Sequence, residues 1–148
     1  VIELRKMTLS DIPQVVVIEK THTPDPWTDS LFADCMMVGY HCFVFSKKNM
    51  VLGYAVLSMM DTEAHILNIA IRLDYRRQGL AHRCIEKLIA LTKELHGIAM
   101  LLEVRISNQP AIQLYQKLGF KRIGYRKDYY KTLTGREDAF VFSLKILA

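Results

Sequence analysis

Cysteine is scarce in this chain: Cys35, Cys42 and Cys84 are odd in number among 148 residues and never spaced C-x-x-C. Neither a disulfide framework nor a zinc site fits that usage. Five histidines are scattered without an H-x-x-x-H pair, so no metal is expected. No apolar run approaches the roughly 20 residues of a membrane span, and no membrane association is expected. Val1-Ile2-Glu3-Leu4-Arg5 lacks the basic, apolar and cleavage regions of a secretory signal, so the expected location is cytoplasmic. Repeats, low-complexity tracts and Gly/Ser-rich linkers are missing too, which leaves a single domain over residues 1–148. What is present is 51% hydrophobic and 24% charged residues, the composition of a soluble domain with a substantial core.

The net charge of +5 is unevenly placed. Arg72, Arg76, Arg77, Arg83 and Lys87 gather at one strand-to-helix junction, and a second basic group runs from Lys117 to Arg136. Between Glu19 and Asp34 the sign reverses, with Glu19, Asp25, Asp29 and Asp34 against Lys20. A positive patch suits a nucleic acid, a phosphorylated cofactor or mere solubility, and charge alone does not choose.

Val1–Arg5 reads as a strand, and Thr8 or Ser10 caps a helix beginning near Asp11-Ile12-Pro13. Pro24-Asp25-Pro26-Trp27 breaks that helix, and Thr28 caps a short one through Leu31 and Phe32. His41–Phe45 and Gly53–Ser58 form a hairpin across Ser46-Lys47-Lys48-Asn49, and Ala64–Ile71 is a buried strand. Leu80, Cys84, Leu88, Leu91 and Leu95 make the apolar stripe of a long helix ending at Gly97. Ala99–Arg105 is the next strand; Asn108 or Gln109 starts a short helix that stops at Gly119. Two strands, Phe120–Tyr125 and Asp138–Leu144, close the chain around a loop containing Thr134-Gly135. The methionine pairs Met36-Met37 and Met59-Met60 are expected in the core. The order β, α, α, β, β, β, α, β, α, β, β predicts an α/β protein with a mixed sheet flanked by helices.

Chemistry concentrates where the strand ending at Ile71 turns through Arg76-Arg77-Gln78-Gly79-Leu80-Ala81 into the long helix. Free backbone N–H groups at a positive helix end bind anions, and glycine admits a phosphate without a Cβ in the way. The turn is neither G-x-x-x-x-G-K-[ST] nor G-x-G-x-x-G, so a nucleoside triphosphate or dinucleotide is not favoured. A surface-charged helix start would look the same.

Arg76–Ala81 resembles the R/Q-x-x-G-x-G/A signature of the GNAT acetyltransferases. Asn68–Ile71, Leu102–Arg105, Ser107-Asn108, Ala111–Tyr115, Leu118–Phe120, Tyr129-Tyr130 and Gly135–Ala139 follow in order. Together with Asp25-Pro26-Trp27-Thr28 that series is similar to the RimI-type ribosomal-protein-alanine N-acetyltransferases, over nearly the whole chain. The resemblance implies the GNAT fold, acetyl-coenzyme A as cofactor, and transfer of acetyl to a protein N-terminus. The implied acceptor is the N-terminal alanine of the eighteenth small-subunit ribosomal protein.

An acceptor amine must be neutral to attack, and an α-amino group of pKa about 8 needs only a weak base. Glu103, a carboxylate in the apolar run Leu101-Leu102-Val104, is the candidate; an ion pair with Arg105 is the plainer explanation. By resemblance Glu103 is the base and Tyr115 the general acid, although Tyr115 also reads as a packing residue beside Ile112 and Leu118. Resemblance further implies cofactor contacts from Ile69, Ala70, Ile71, Arg76, Arg77, Gln78, Gly79, Leu80, Ala81 and Asn108. A main-chain N–H near Ile69 or Ala70 would face the developing oxyanion, and Asn108 equally caps its helix. Trp27, Tyr129, Tyr130, Glu137 and Asp138 would border the acceptor, or simply pack loops and carry solvated charge.

Cys84 sits on a helix face, poorly placed as a nucleophile, so direct transfer in a ternary complex is expected. Two other functions compete: acetylation of lysines or small amines on the same fold, and a non-catalytic RNA-binding module built on Lys117–Arg136. The base, acid and phosphate turn argue against the latter, and no direct nucleic-acid contact is expected.

Overall fold

A computed structural model describes residues 1–76 and 79–146. Arg77 and Gln78, both expected to touch the cofactor, lie outside the described residues. The strands are β1 (Glu3–Lys6), β2 (His41–Lys47), β3 (Met50–Met60), β4 (Glu63–Ile71), β5 (Ala99–Arg105), β6 (Lys121–Lys131) and β7 (Arg136–Lys145). The helices are α1 (Ile12–His22), α2 (Asp29–Met37), α3 (Leu80–Glu94) and α4 (Gln109–Lys117). The strands hydrogen-bond in the order β1-β2-β3-β4-β5-β7-β6, a mixed sheet in which β4 and β5 are parallel. Parallel neighbours need a long crossover, which α3 supplies. Among the described residues no helix is long and apolar enough to cross a membrane, and no cluster of His, Cys, Asp or Glu could hold a metal.

Contacts divide the chain into two compact units, Val1–Ser58 with Leu67–Lys87, and Met59–Ile66 with Leu88–Ala148. In the first, Val15, Ile18, Phe32, Val44, Tyr54 and Val56 form the core, with the Phe32 and Tyr54 rings edge to face at 5.5 Å. Asp11 is buried and accepts two 2.8 Å bonds from the Arg5 guanidinium, which ties β1 to the start of α1 and lowers the Asp11 pKa. Gly53 in β3 lies so close to β4 that a Cβ would meet the Ala70 carbonyl oxygen at 2.6 Å.

In the second unit β5 alternates strictly: Met100, Leu102 and Val104 are buried, and Leu101, Glu103 and Arg105 face the other way. The β4–β5 ladder runs from Glu63↔Ala99 to Ile66↔Leu102 and ends there, while β4 continues to Ile71 and β5 to Arg105. The helix α3 turns Leu80, Cys84, Ile85, Leu88 and Thr92 inward, with Thr92 donating to the Leu88 carbonyl at 2.9 Å. Leu91 and Leu95 are only half-buried, so the stripe drifts around the helix as a 3.6-residue period demands.

Several expectations are corrected. Thr8 opens a single 3-10 turn, Leu9–Asp11, and Asp11 is the N-cap of α1. The short second helix extends to Met37, and the β2–β3 turn shrinks to Lys48-Asn49, with Lys48 at φ +56°. The closing strands are longer than their apolar runs, so Tyr129, Tyr130 and Glu137 sit in β6 and β7 rather than in a loop, while Asp138 lies in β7 as expected. Met37 and Met60 are 87% and 75% exposed rather than in the core, each being the last residue of its element.

Candidate active site

The turn into α3 has the features of an anion cradle. Gly79 takes φ +72°, a conformation that L side chains rarely adopt, and nothing lies within 4 Å of where its Cβ would be. Arg83 N–H donates to the Gly79 carbonyl at 3.2 Å as the first helical bond, so the preceding amides have no partner within the helix. Arg76 is braced by its Nε on the Ile71 carbonyl at 3.1 Å, and its Nη2 is buried with no hydrogen-bond partner among the described residues. An orphaned guanidinium nitrogen and an open, positively polarised helix end each fit a phosphorylated cofactor. Leu80 is buried in the core, Ala81 half-buried. Of the neighbouring strand residues, Ile69 is half-buried, and Ala70 and Ile71 are buried.

In the second unit the Glu103 side chain is 7% exposed, and its Oε1 bonds His65 Nε2 at 2.7 Å. Arg126 Nε approaches Oε2 at 3.9 Å. Tyr129 is raised in pKa, first by burial and then by the negative charge of Glu103, which marks its hydroxyl as another neighbour of the carboxylate. Glu103 is thus drawn from water yet still partnered. His65 and Arg126 were not found from the sequence. His65 pairs with Leu101, two residues before Glu103 on the same face, so it is a diagonal neighbour that only strand register reveals. Arg105 pairs with Glu137 at 3.4 Å and lies over the Tyr130 ring at 4.4 Å.

Tyr115 is buried on α4 against Phe120 and Phe142, at ring distances of 5.6 and 6.3 Å. Burial pushes its phenol up to about 12, so it keeps its proton throughout the neutral range. Asn108 caps α4 through Oδ1, accepting from Ala111 N–H at 3.3 Å; its amide NH2 is not used by that cap. The acidic pair on β7 is spent locally. Glu137 accepts from Ser107 N–H at 2.9 Å and from Arg105, while Asp138 accepts from the Tyr125 hydroxyl and from Asp128 N–H at 2.8 Å. Tyr129 and Tyr130 stack edge to face at 4.9 Å, and burial raises the Tyr130 phenol well above its usual value. In the first unit, Trp27 packs on Phe32 at 5.3 Å, and its N–H donates to Glu19 at 2.9 Å. Cys84 is fully buried, and burial lifts its thiol to about 12, which leaves no thiolate for nucleophilic attack near neutral pH.

Comparison with known proteins agrees with this chemistry. The acetyltransferase (GNAT) family profile matches residues 10–120. The [ribosomal protein bS18]-alanine N-acetyltransferase of Escherichia coli K12 is 37% identical over 144 residues, covering 97% of each chain. An N-alpha-acetyltransferase of Saccharolobus solfataricus is 30% identical over 154 aligned positions, covering 95% of this chain and 90% of its own. Among solved structures, the ribosomal-protein-S18-alanine N-acetyltransferase from Escherichia coli superposes with a TM-score of 0.91 at 33% identity, covering 100% of this chain and 96% of that one. With the family profile matching three-quarters of its length, the chain belongs to the GNAT acetyltransferase family.

Proposed function

We propose that this enzyme acetylates the N-terminal α-amino group of a protein, with the N-terminal alanine of a bS18-type ribosomal protein as acceptor, working as one domain over residues 1–148 in the cytoplasm. The observation that carries the reading is Glu103, a strand carboxylate nearly shut off from water and held by His65, in a chain similar along its whole length to enzymes of that name. Acetyl-coenzyme A supplies the activated acetyl thioester. The Arg76 guanidinium and the amides that open α3 suit its pyrophosphate, and the main chain of Ile69, Ala70 and Ile71 suits its pantetheine arm as an added strand. Gly79, Leu80 and Ala81 are assigned to the same phosphate contact, and Arg77, Gln78 and Asn108 are assigned to the cofactor by family resemblance.

Glu103 takes the proton that the incoming α-ammonium sheds, and His65 keeps the carboxylate in place to do so. A main-chain N–H at Ile69 or Ala70 faces the carbonyl oxygen as it gains charge. Tyr115, protonated because it is buried, presents its hydroxyl to the departing sulfur and returns a proton to it. Two protons leave the nitrogen: one goes to Glu103 before attack, and the second, shed as the amide forms, replaces the proton that Tyr115 gives to the departing thiol. Trp27, Tyr129 and Tyr130 offer aromatic walls to the acceptor peptide, while Asp138 holds the Asp128 N–H beside those tyrosines and Glu137 holds the Ser107 N–H.

Three acceptors separate this reading from its rivals: an Ala-initiated peptide, an N-terminally blocked peptide with one free lysine, and a polyamine. The Ala-initiated peptide is expected to react at least about a hundredfold faster in kcat/KM, a difference of roughly 2.7 kcal/mol in transition-state binding. A lysine peptide or polyamine that matches or outruns it would overturn the assigned acceptor.

A further inference from the structure

The first unit contains a charged group that the reaction does not use. Glu19 on α1 is only 2% exposed, although Lys20, Thr21 and His22, which follow it, are exposed. A carboxylate costs several kcal/mol to bury without partners, and this one has three donors from three other segments. Its Oε1 accepts from the Tyr54 hydroxyl on β3 and from Asn68 Nδ2 on β4, the latter at 3.1 Å. Its Oε2 accepts from the main-chain N–H of Trp27 at 2.9 Å. Ile18, Phe32, Tyr54 and Ala70 belong to one core cluster, and the Arg76 guanidinium lies near enough to act on Tyr54.

The three segments differ in kind. Tyr54 is rigid core, fully buried and stacked on Phe32. Asn68 immediately precedes Ile69-Ala70-Ile71, the stretch assigned to the cofactor arm. Trp27 belongs to the irregular segment between α1 and α2, which begins after Thr23 and is re-anchored only at the Thr28 cap. Among the described residues, Glu19 Oε2 holds the backbone of that segment to the core through Trp27 N–H.

We propose that Glu19 is a positioning residue that locks the Trp27 loop to the cofactor strand, so that the acceptor peptide meets a preformed wall beside the acetyl donor. The inference rests on the acceptor role proposed for Trp27. Three donors and no acceptor face Glu19, so no neutral replacement satisfies them. An amide in place of the carboxyl has one acceptor oxygen and turns an N–H2 toward another donor. An unsatisfied buried N–H costs about 1–3 kcal/mol, which the loop relieves by leaving its bound position.

Trp27 is the single tryptophan of the chain, so its fluorescence reports on this loop alone. In Glu19→Gln, acrylamide quenching of the free enzyme is expected to rise at least about twofold, and the KM for an Ala-initiated peptide about tenfold. The KM for acetyl-coenzyme A should stay within about twofold, a split that general loss of stability does not produce. Val15→Ala serves as the stability-matched control: Val15 is fully buried on the same helix and touches neither Trp27 N–H nor Asn68 through a hydrogen bond. It should lower the melting temperature comparably and leave both KM values unchanged. Unchanged quenching in Glu19→Gln, or equal KM losses in Glu19→Gln and Val15→Ala, would overturn the assignment. The quenching arm needs no turnover, so a failure of the wild-type enzyme to acetylate peptides condemns the acceptor reading alone.

Discussion

At the scale of single residues, the site depends on which polar groups the fold keeps from water and what it gives them in return. Glu103 was legible in the sequence because a carboxylate stands out in Leu101-Leu102-Glu103-Val104. Its partner His65 was not, since a lone histidine in Ala64–Ile66 gains meaning only when the β4–β5 register sets it diagonally to Glu103. Tyr115 could be read as acid or as packing, and the structure gives it both features: an aromatic cluster around the ring and a phenol held protonated. Tyr115→Phe keeps the contacts with Phe120 and Phe142 and removes the proton, so kcat should fall about a hundredfold or more with little change in melting temperature. Cys84→Ala removes a thiol that burial keeps protonated up to about pH 12. Its turnover per folded molecule should match wild type in steady-state assays; loss of activity in a folded Cys84→Ala protein would demand a covalent mechanism.

At the scale of elements, the legible parts were those with a strong period or a strong stop. The α3 stripe, the Asn108 cap with Pro110 behind it and Gly119 at φ +98° all have local causes that a sequence displays. The ends of β6 and β7 were not legible, because Arg126 to Lys131 is charged, exposed on both faces and interrupted by a register shift around Asp128 at φ +53°. Such a strand exists through its ladder with β7 rather than through burial. Two glycines, Gly53 inside β3 and Gly79 before α3, separate structure from function. Gly53→Ala drives a Cβ into the Ala70 carbonyl at 2.6 Å and Ile71 Cδ1 at 2.7 Å. It should cost about 1–3 kcal/mol in chemical denaturation. Gly79→Ala meets no atom, so it should cost only about 1–2 kcal/mol of backbone strain. Its larger effect should be on the KM for acetyl-coenzyme A, since the methyl group occupies the path of a phosphate.

At the scale of the molecule, family membership was visible in the sequence because its motifs recur in order along the chain, and an order of small matches is harder to meet by chance than any one of them. The net charge of +5 carried no such information, since basic residues serve the phosphate turn, the salt links of Arg5, Arg105 and Arg126, and the exposed face of β6 alike. The role of Glu19 needed three-dimensional contacts, because residues 27, 54 and 68 meet it only after folding. The central claim is that Glu103 is the base for acetyl transfer to a peptide amine, and release of free coenzyme A from acetyl-coenzyme A, with an Ala-initiated peptide as acceptor, tests it most directly. Wild type should turn over, and Glu103→Gln should lose about two to four orders of magnitude in kcat while still binding acetyl-coenzyme A. Equal turnover by wild type and Glu103→Gln would contradict it.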